Sequence, residues 1–102
     1  MTKDYVHVRC LRGDPERGVV SEWLQLIWKA NELAKAGDGE RIFGQPESIG
    51  EWWAGGEVEE YADARVIHRT DTPTTSIVAK TERGDALIRA AADALGLQYT
   101  ES

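Results

Sequence analysis

The tripeptide Arg-Gly-Asp occurs twice in this chain, at 12–14 and 83–85, each time between a segment of period two and a helical pattern. Before the first copy, Val6, Val8 and Cys10 alternate with more polar residues, which is the pattern of a half-buried strand. In both copies the Gly permits a tight turn and the Asp is a favoured residue for capping a helix. The chain therefore predicts two strand–helix units of the same design.

Both helical patterns have recognisable ends. The first helix is predicted over 15–36, with Pro at its first position and apolar residues at steps of three and four, and it should end at Gly37. Gly18 is a weak point within its first turn. The second helix is predicted to begin with Asp85 as its cap and to end at Gly96.

Further strands are predicted between and after the helices. Alternation predicts one over 59–69 and another over 76–81, separated by a turn at 70–75, and residues 97–100 could add a short last strand. We therefore predict an α+β protein with the split-βαβ (ferredoxin-like) order βαββα(β). It would have one antiparallel sheet of three or four strands, two helices on one face, and a single domain over 1–102. Proteins with this architecture have many unrelated functions, so the architecture does not indicate the function of this chain.

Composition excludes several classes of protein. A single cysteine, Cys10, cannot form an internal disulfide, which is typical of a reducing compartment. The chain begins without the apolar stretch of a secretion signal, and no apolar run approaches the ~20 residues of a bilayer span. We therefore predict a cytoplasmic protein without membrane contact. His7 and Cys10 should point to opposite faces of a strand, and no metal-binding or phosphate-loop spacing occurs, so we predict no metal, no cofactor and no enzyme.

Negative charge is concentrated in one part of the chain. Residues 38–63 hold eight acidic side chains against one arginine, a net −7 that leaves +1 for the remainder of a chain whose total is −6. A glycine-rich connection at 37–58 also contains two adjacent tryptophans. Trp is frequent among binding hot spots, and surrounding acids would form a selective rim. The predicted partner-binding residues are Glu47, Glu51, Trp52, Trp53, Glu57, Glu59 and Glu60.

The first functional hypothesis is a small acidic binding protein that acts by protein–protein contact. Its acidic segment would engage a basic, nucleic-acid-binding surface of a target protein, because opposite charges speed their encounter. The specific version is an inhibitor or immunity-type protein, such as an anti-defence factor of a phage or mobile element. The alternative interpretation is a solvated loop whose charges only maintain solubility and whose tryptophans cover the core.

A second hypothesis places the function on the sheet face opposite the helices. Aromatic and cationic side chains would be interleaved there, as an anion or single-stranded nucleic acid requires. The predicted residues are Tyr5, His7, Arg9, Tyr61, Arg65 and Arg69. The net negative charge argues against direct nucleic-acid binding. Two other interpretations of this face stay open: a homodimer contact, and a small homo-oligomeric enzyme with His7 as its base.

Overall fold

The fold is a five-stranded antiparallel sheet with two helices, in a computed structural model that describes residues 5–37, 39–44, 58–69 and 72–101. The elements are β1 (Val6–Leu11), α1 (Glu22–Gly37), β2 (Val58–Glu60), β3 (Ala64–His68), β4 (Thr74–Ala79), α2 (Glu82–Leu95) and β5 (Thr100–Glu101), with a 3-10 turn at Pro15–Arg17 before α1. The strand order is β2-β3-β4-β1-β5, and every neighbouring pair is antiparallel. The α+β class is as predicted.

One hydrophobic core lies between the sheet and the helices. Alternation in β1 turns Val6, Val8 and Cys10 inward, and all three are fully buried, as predicted. The register places Ile77 of β4 opposite both Val8 of β1 and Val66 of β3, so the central strands share one apolar layer. The largest helix residues buried in this core are Trp23, Leu26, Ile27 and Ile88. Within the described part of the chain, neither helix has the length and apolar composition of a membrane-spanning segment.

The first helix begins later than predicted. Gly18 adopts a φ of +72°, and the backbones of Asp14 and Val19 bond to each other in both directions at 3.0 Å. A glycine takes this left-handed conformation without the steric penalty of a side chain, so the chain reverses here. As a result α1 begins only at Glu22, and Val20 is 61% exposed instead of joining the apolar face of a helix. The predicted end of α1 is confirmed.

The segment predicted as one strand over 59–69 forms two strands, β2 and β3. In the turn between them, the Tyr61 amide donates to the Ala64 carbonyl at 2.9 Å. The Asp63 carboxylate accepts a hydrogen bond from the Thr81 hydroxyl at 2.7 Å, which holds the turn against the start of α2. Among the described residues the sheet therefore has five strands, and the finer split-βαβ description with three or four strands is not confirmed.

The cap of α2 is Thr81, not Asp85. The Thr81 hydroxyl oxygen accepts the Gly84 amide at 3.1 Å, which satisfies one free donor of the first turn. The Asp85 carboxylate instead accepts the Val6 amide at 2.7 Å, across 79 residues of sequence. The second Arg-Gly-Asp thus ties α2 to β1 rather than starting the helix. Gly96 ends α2 in the left-handed conformation, as predicted.

Candidate anion-binding site

The sheet face opposite the helices, called the outer face below, is built by alternate residues of its strands. The strand registers place these residues in rows that run across the sheet. One row contains Arg65, Val78, His7 and Thr100, and the next contains Ile67, Ser76 and Arg9. Arg69 directly follows β3, where its amide donates to the Thr74 carbonyl at 3.1 Å. Strand register, which pairs residues far apart in sequence, thus gathers groups from β1, β3, β4 and β5.

Several arginines of the described chain have a carboxylate or carbonyl partner. Ion pairs join Arg17 to Asp14, Arg65 to Glu60, Arg83 to Asp63, and Arg89 to both Asp85 and Glu101. The Arg12 guanidinium donates to the main-chain carbonyls of Arg69, Thr72 and Thr74. In an acidic protein this pairing is the expected arrangement, because carboxylates are abundant.

Arg9 and Arg69 differ from these arginines. Neither forms an ion pair with a carboxylate of the described residues. The Nε of Arg69 is buried without a hydrogen-bond partner, and the same holds for Ser76 Oγ and His7 Nε2. Ser76 itself is only 1% exposed. We call these four residues, His7, Arg9, Arg69 and Ser76, the arginine cluster.

The electrostatics of the arginine cluster are repulsive. Burial lowers the pKa of His7 below its ordinary value of 6.5, and repulsion from Arg9 and Arg69 lowers it further. A lowered pKa leaves the imidazole neutral near pH 7. The cluster therefore contains the positive charges of Arg9 and Arg69, and the Nε–H group of Arg69 has no acceptor among the described residues. An anion would satisfy that donor and reverse the repulsion.

A pocket of about 420 Å³ adjoins the cluster at the edge of β1, lined by His7, Arg9, Gln98, Tyr99 and Thr100. It forms because β5 is only two residues long, so the β1–β5 ladder ends at the His7–Thr100 pair. Residues 98 and 99 then run beside β1 without pairing to it. The pocket and the arginine cluster share His7 and Arg9, so they form one continuous candidate site.

No protein-family model, curated protein or solved structure matches this chain. Among the described residues, no group of three or more His, Cys, Asp or Glu side chains is placed to hold a metal ion.

Four of the six residues predicted on the outer face lie there: His7, Arg9, Arg65 and Arg69. The two tyrosines do not. Tyr61 packs edge-on against Phe43, with 5.6 Å between ring centroids, and Tyr5 packs against the core. The turn between β2 and β3 takes Tyr61 out of the strand alternation, so these two tyrosines do not interleave with the arginines.

Sequence reasoning missed Ser76, Gln98 and Thr100. Ser76 was predicted within a strand, but its position between Arg9 and Ile67 follows only from the strand register. The last strand was predicted to pair over 97–100, whereas pairing begins at Thr100. No sequence signal marks the resulting gap, because ladder length depends on where two distant segments meet.

Five predicted partner-binding residues, Glu47, Glu51, Trp52, Trp53 and Glu57, lie outside the described residues. The other two belong to β2. Glu60 pairs with Lys80 at 2.9 Å and with Arg65, and the hydrogen bond from Lys80 is the largest of the effects that lower the pKa of its carboxyl group. Glu59 is half-buried. Glu60 is thus paired with Arg65 of β3 and with Lys80, which directly follows β4.

Cys10 and His68 are core residues on the opposite, helix-covered face. Burial, together with the nearby Glu22 carboxylate, raises the pKa of the Cys10 thiol to about 12, so the thiol is protonated at neutral pH. His68 is 2% exposed, and its Nδ1 lies 2.9 Å from the Thr75 hydroxyl oxygen. The burial of Cys10 agrees with its predicted place on the inward face of β1.

Proposed function

We propose that this protein is a non-enzymatic binding protein whose outer sheet face holds an anionic group, a phosphate or a carboxylate, of its ligand. The observation that carries the proposal is the pair of arginines, Arg9 and Arg69, that have no carboxylate partner among the described residues of an acidic chain. Buried polar atoms without partners are costly, about 1–3 kcal/mol each, and three of them, Arg69 Nε, Ser76 Oγ and His7 Nε2, belong to the arginine cluster. A bound anion would offset this cost.

The cluster supports binding rather than catalysis. Ser76 Oγ and His7 Nε2 each lack a hydrogen-bond partner among the described residues, so they do not form the hydroxyl–imidazole pair that activates a nucleophile. A guanidinium is a poor acid or base but an effective, often bidentate, donor to oxyanions.

A compact anionic group suits the site better than a nucleic-acid strand. The net charge of −6 opposes a polyanion, and neither Tyr5 nor Tyr61 stands among the arginines to stack on bases. Two or three charge-assisted hydrogen bonds contribute about 5 kcal/mol, which corresponds to a Kd on the order of 0.2 mM for the anion alone.

The test is a titration with inorganic phosphate, followed through the arginine Nε–H signals in NMR spectra. We expect the Arg9 and Arg69 signals to shift together with one Kd, and Arg9→Gln or Arg69→Gln to weaken binding at least tenfold, since each removes one charge-assisted contact. Glutamine keeps much of the apolar stem, so packing is preserved.

Arg17→Gln is the matched control, because it removes the same charge from an exposed arginine that pairs with Asp14 at 3.4 Å. It should leave the phosphate Kd unchanged. If Arg17→Gln weakens phosphate binding as much as Arg9→Gln does, the loss of affinity is caused by the change in net charge, and the proposal is wrong. Absence of any phosphate-dependent shift would also overturn it.

A further inference from the structure

The pocket beside the arginine cluster indicates the class of ligand. We infer that the ligand is a small polyol phosphate, such as a phosphorylated sugar, with its phosphate on the arginine cluster and its hydroxyl groups in the pocket. This inference rests on the proposed function and extends it. A volume of about 420 Å³ lies toward the small end of the ~300–1,000 Å³ range of ligand pockets.

The lining of the pocket favours hydroxyl groups. The Gln98 carboxamide offers both donors and an acceptor, and Thr100 adds a hydroxyl that donates only a long bond, 3.5 Å, to the His7 carbonyl. Groups that both donate and accept match a ligand hydroxyl, which also does both. Arg9 borders the pocket and belongs to the cluster, so one ligand can contact both parts.

The same lining disfavours a nucleotide base. Tyr99 is the larger of the two aromatic rings that line the pocket, but its hydroxyl donates to Asp93 at 3.0 Å and the Arg89 guanidinium lies over its ring, 5.7 Å from the centroid. The ring also packs against the core. Base stacking requires a free face of an aromatic ring. The ring of Tyr99 does not provide one, because it contacts Arg89 of α2 and the core.

The experiment compares the Kd of glucose 6-phosphate, inorganic phosphate and AMP for the full chain by isothermal titration calorimetry. We expect glucose 6-phosphate to bind about tenfold more tightly than phosphate, the effect of one or two net hydrogen bonds, and AMP to gain less. Gln98→Ala should abolish the advantage of the sugar phosphate while leaving the Kd of inorganic phosphate unchanged.

Gln25→Ala, at an exposed position of α1, is the matched control and should keep the full preference. If wild type binds phosphate but shows no preference for glucose 6-phosphate, or prefers AMP, the ligand class is wrong and the proposed function stands. The ligand class is equally wrong if Gln98→Ala keeps the preference. If neither phosphate nor glucose 6-phosphate binds, both proposals are wrong.

Discussion

Single buried polar residues join distant parts of this fold. The Asn31 side chain, 2% exposed on α1, accepts the amides of Ile42 and Phe43 at 3.1 and 3.0 Å and donates to the Phe43 carbonyl at 3.1 Å. Asp85 plays a similar part between α2 and β1, where it accepts the Val6 amide. Each residue forms hydrogen bonds with backbone groups of a segment distant in sequence. These bonds are the reason why such polar side chains are tolerated in the interior.

His68 makes stability depend on pH. Burial, with a smaller contribution from Arg12, lowers the pKa of His68 from 6.5 to about 4 in the folded state. Below pH 6.5 the unfolded chain binds a proton that the folded chain does not, so stability is complete above pH 6.5 and falls as the pH drops toward 4. Between pH 6.5 and about 5, before most carboxylates titrate, the free energy of unfolding should fall by about 2 kcal/mol.

Urea denaturation at both pH values measures this loss. His68→Asn, which can keep a hydrogen bond to Thr75, should remove most of the pH dependence. His7→Asn is the comparison, because His7 is less buried and should contribute less. If the free energy of unfolding of His68→Asn falls between these two pH values as much as that of the wild type, other titratable groups cause the effect.

At the scale of elements, the two Arg-Gly-Asp copies have different roles. The first connects β1 to α1 and to the β3–β4 hairpin: Arg12 donates to hairpin carbonyls, and its own carbonyl accepts the Trp23 indole at 3.0 Å. In the second, Gly84 permits close approach: a Cβ there would lie 2.0 Å from the Asp63 carbonyl oxygen. The same tripeptide thus makes different contacts at its two positions in the fold.

Gly84→Ala should lower the free energy of unfolding by about 2–3 kcal/mol, because the new methyl group forces α2 away from the β2–β3 turn. The control is Gly37→Ala at the end of α1, where an added Cβ meets no atom within 4 Å. This variant should be stabilised by about 0.5–1 kcal/mol, since alanine restricts the unfolded chain. Equal stabilities of the two variants in chemical denaturation would contradict the close contact at Gly84.

At the scale of the whole molecule, charge is unevenly distributed. The segment 38–63 has a net charge of −7, whereas the arginine cluster lies in the near-neutral remainder. The protein-contact hypothesis for Trp52 and Trp53 is compatible with the anion site, because the two use different parts of the chain. It remains a proposal based on sequence.

Replacing both tryptophans, Trp52→Ala with Trp53→Ala, should abolish capture of a basic partner protein from a lysate of the source cells at ~150 mM salt, while unfolding stays cooperative. Trp28→Ala is the matched control, because Trp28 is 40% exposed on α1. It should retain capture. Loss of cooperative unfolding in the double variant would instead show that these tryptophans belong to the core.

The sequence by itself determined the α+β class, the inward face of β1, the C-terminal ends of both helices and the cationic residues of the outer face. These features depend on local periodicity and on residues such as glycine whose preferences act over a few positions. Only the tertiary structure decided that 59–69 turns back on itself, that Tyr61 joins Phe43, and that Arg9 and Arg69 stand beside Ser76 without a carboxylate from the described residues. The physical reason is that strand register and ion pairing join residues far apart in sequence, so no local pattern specifies them.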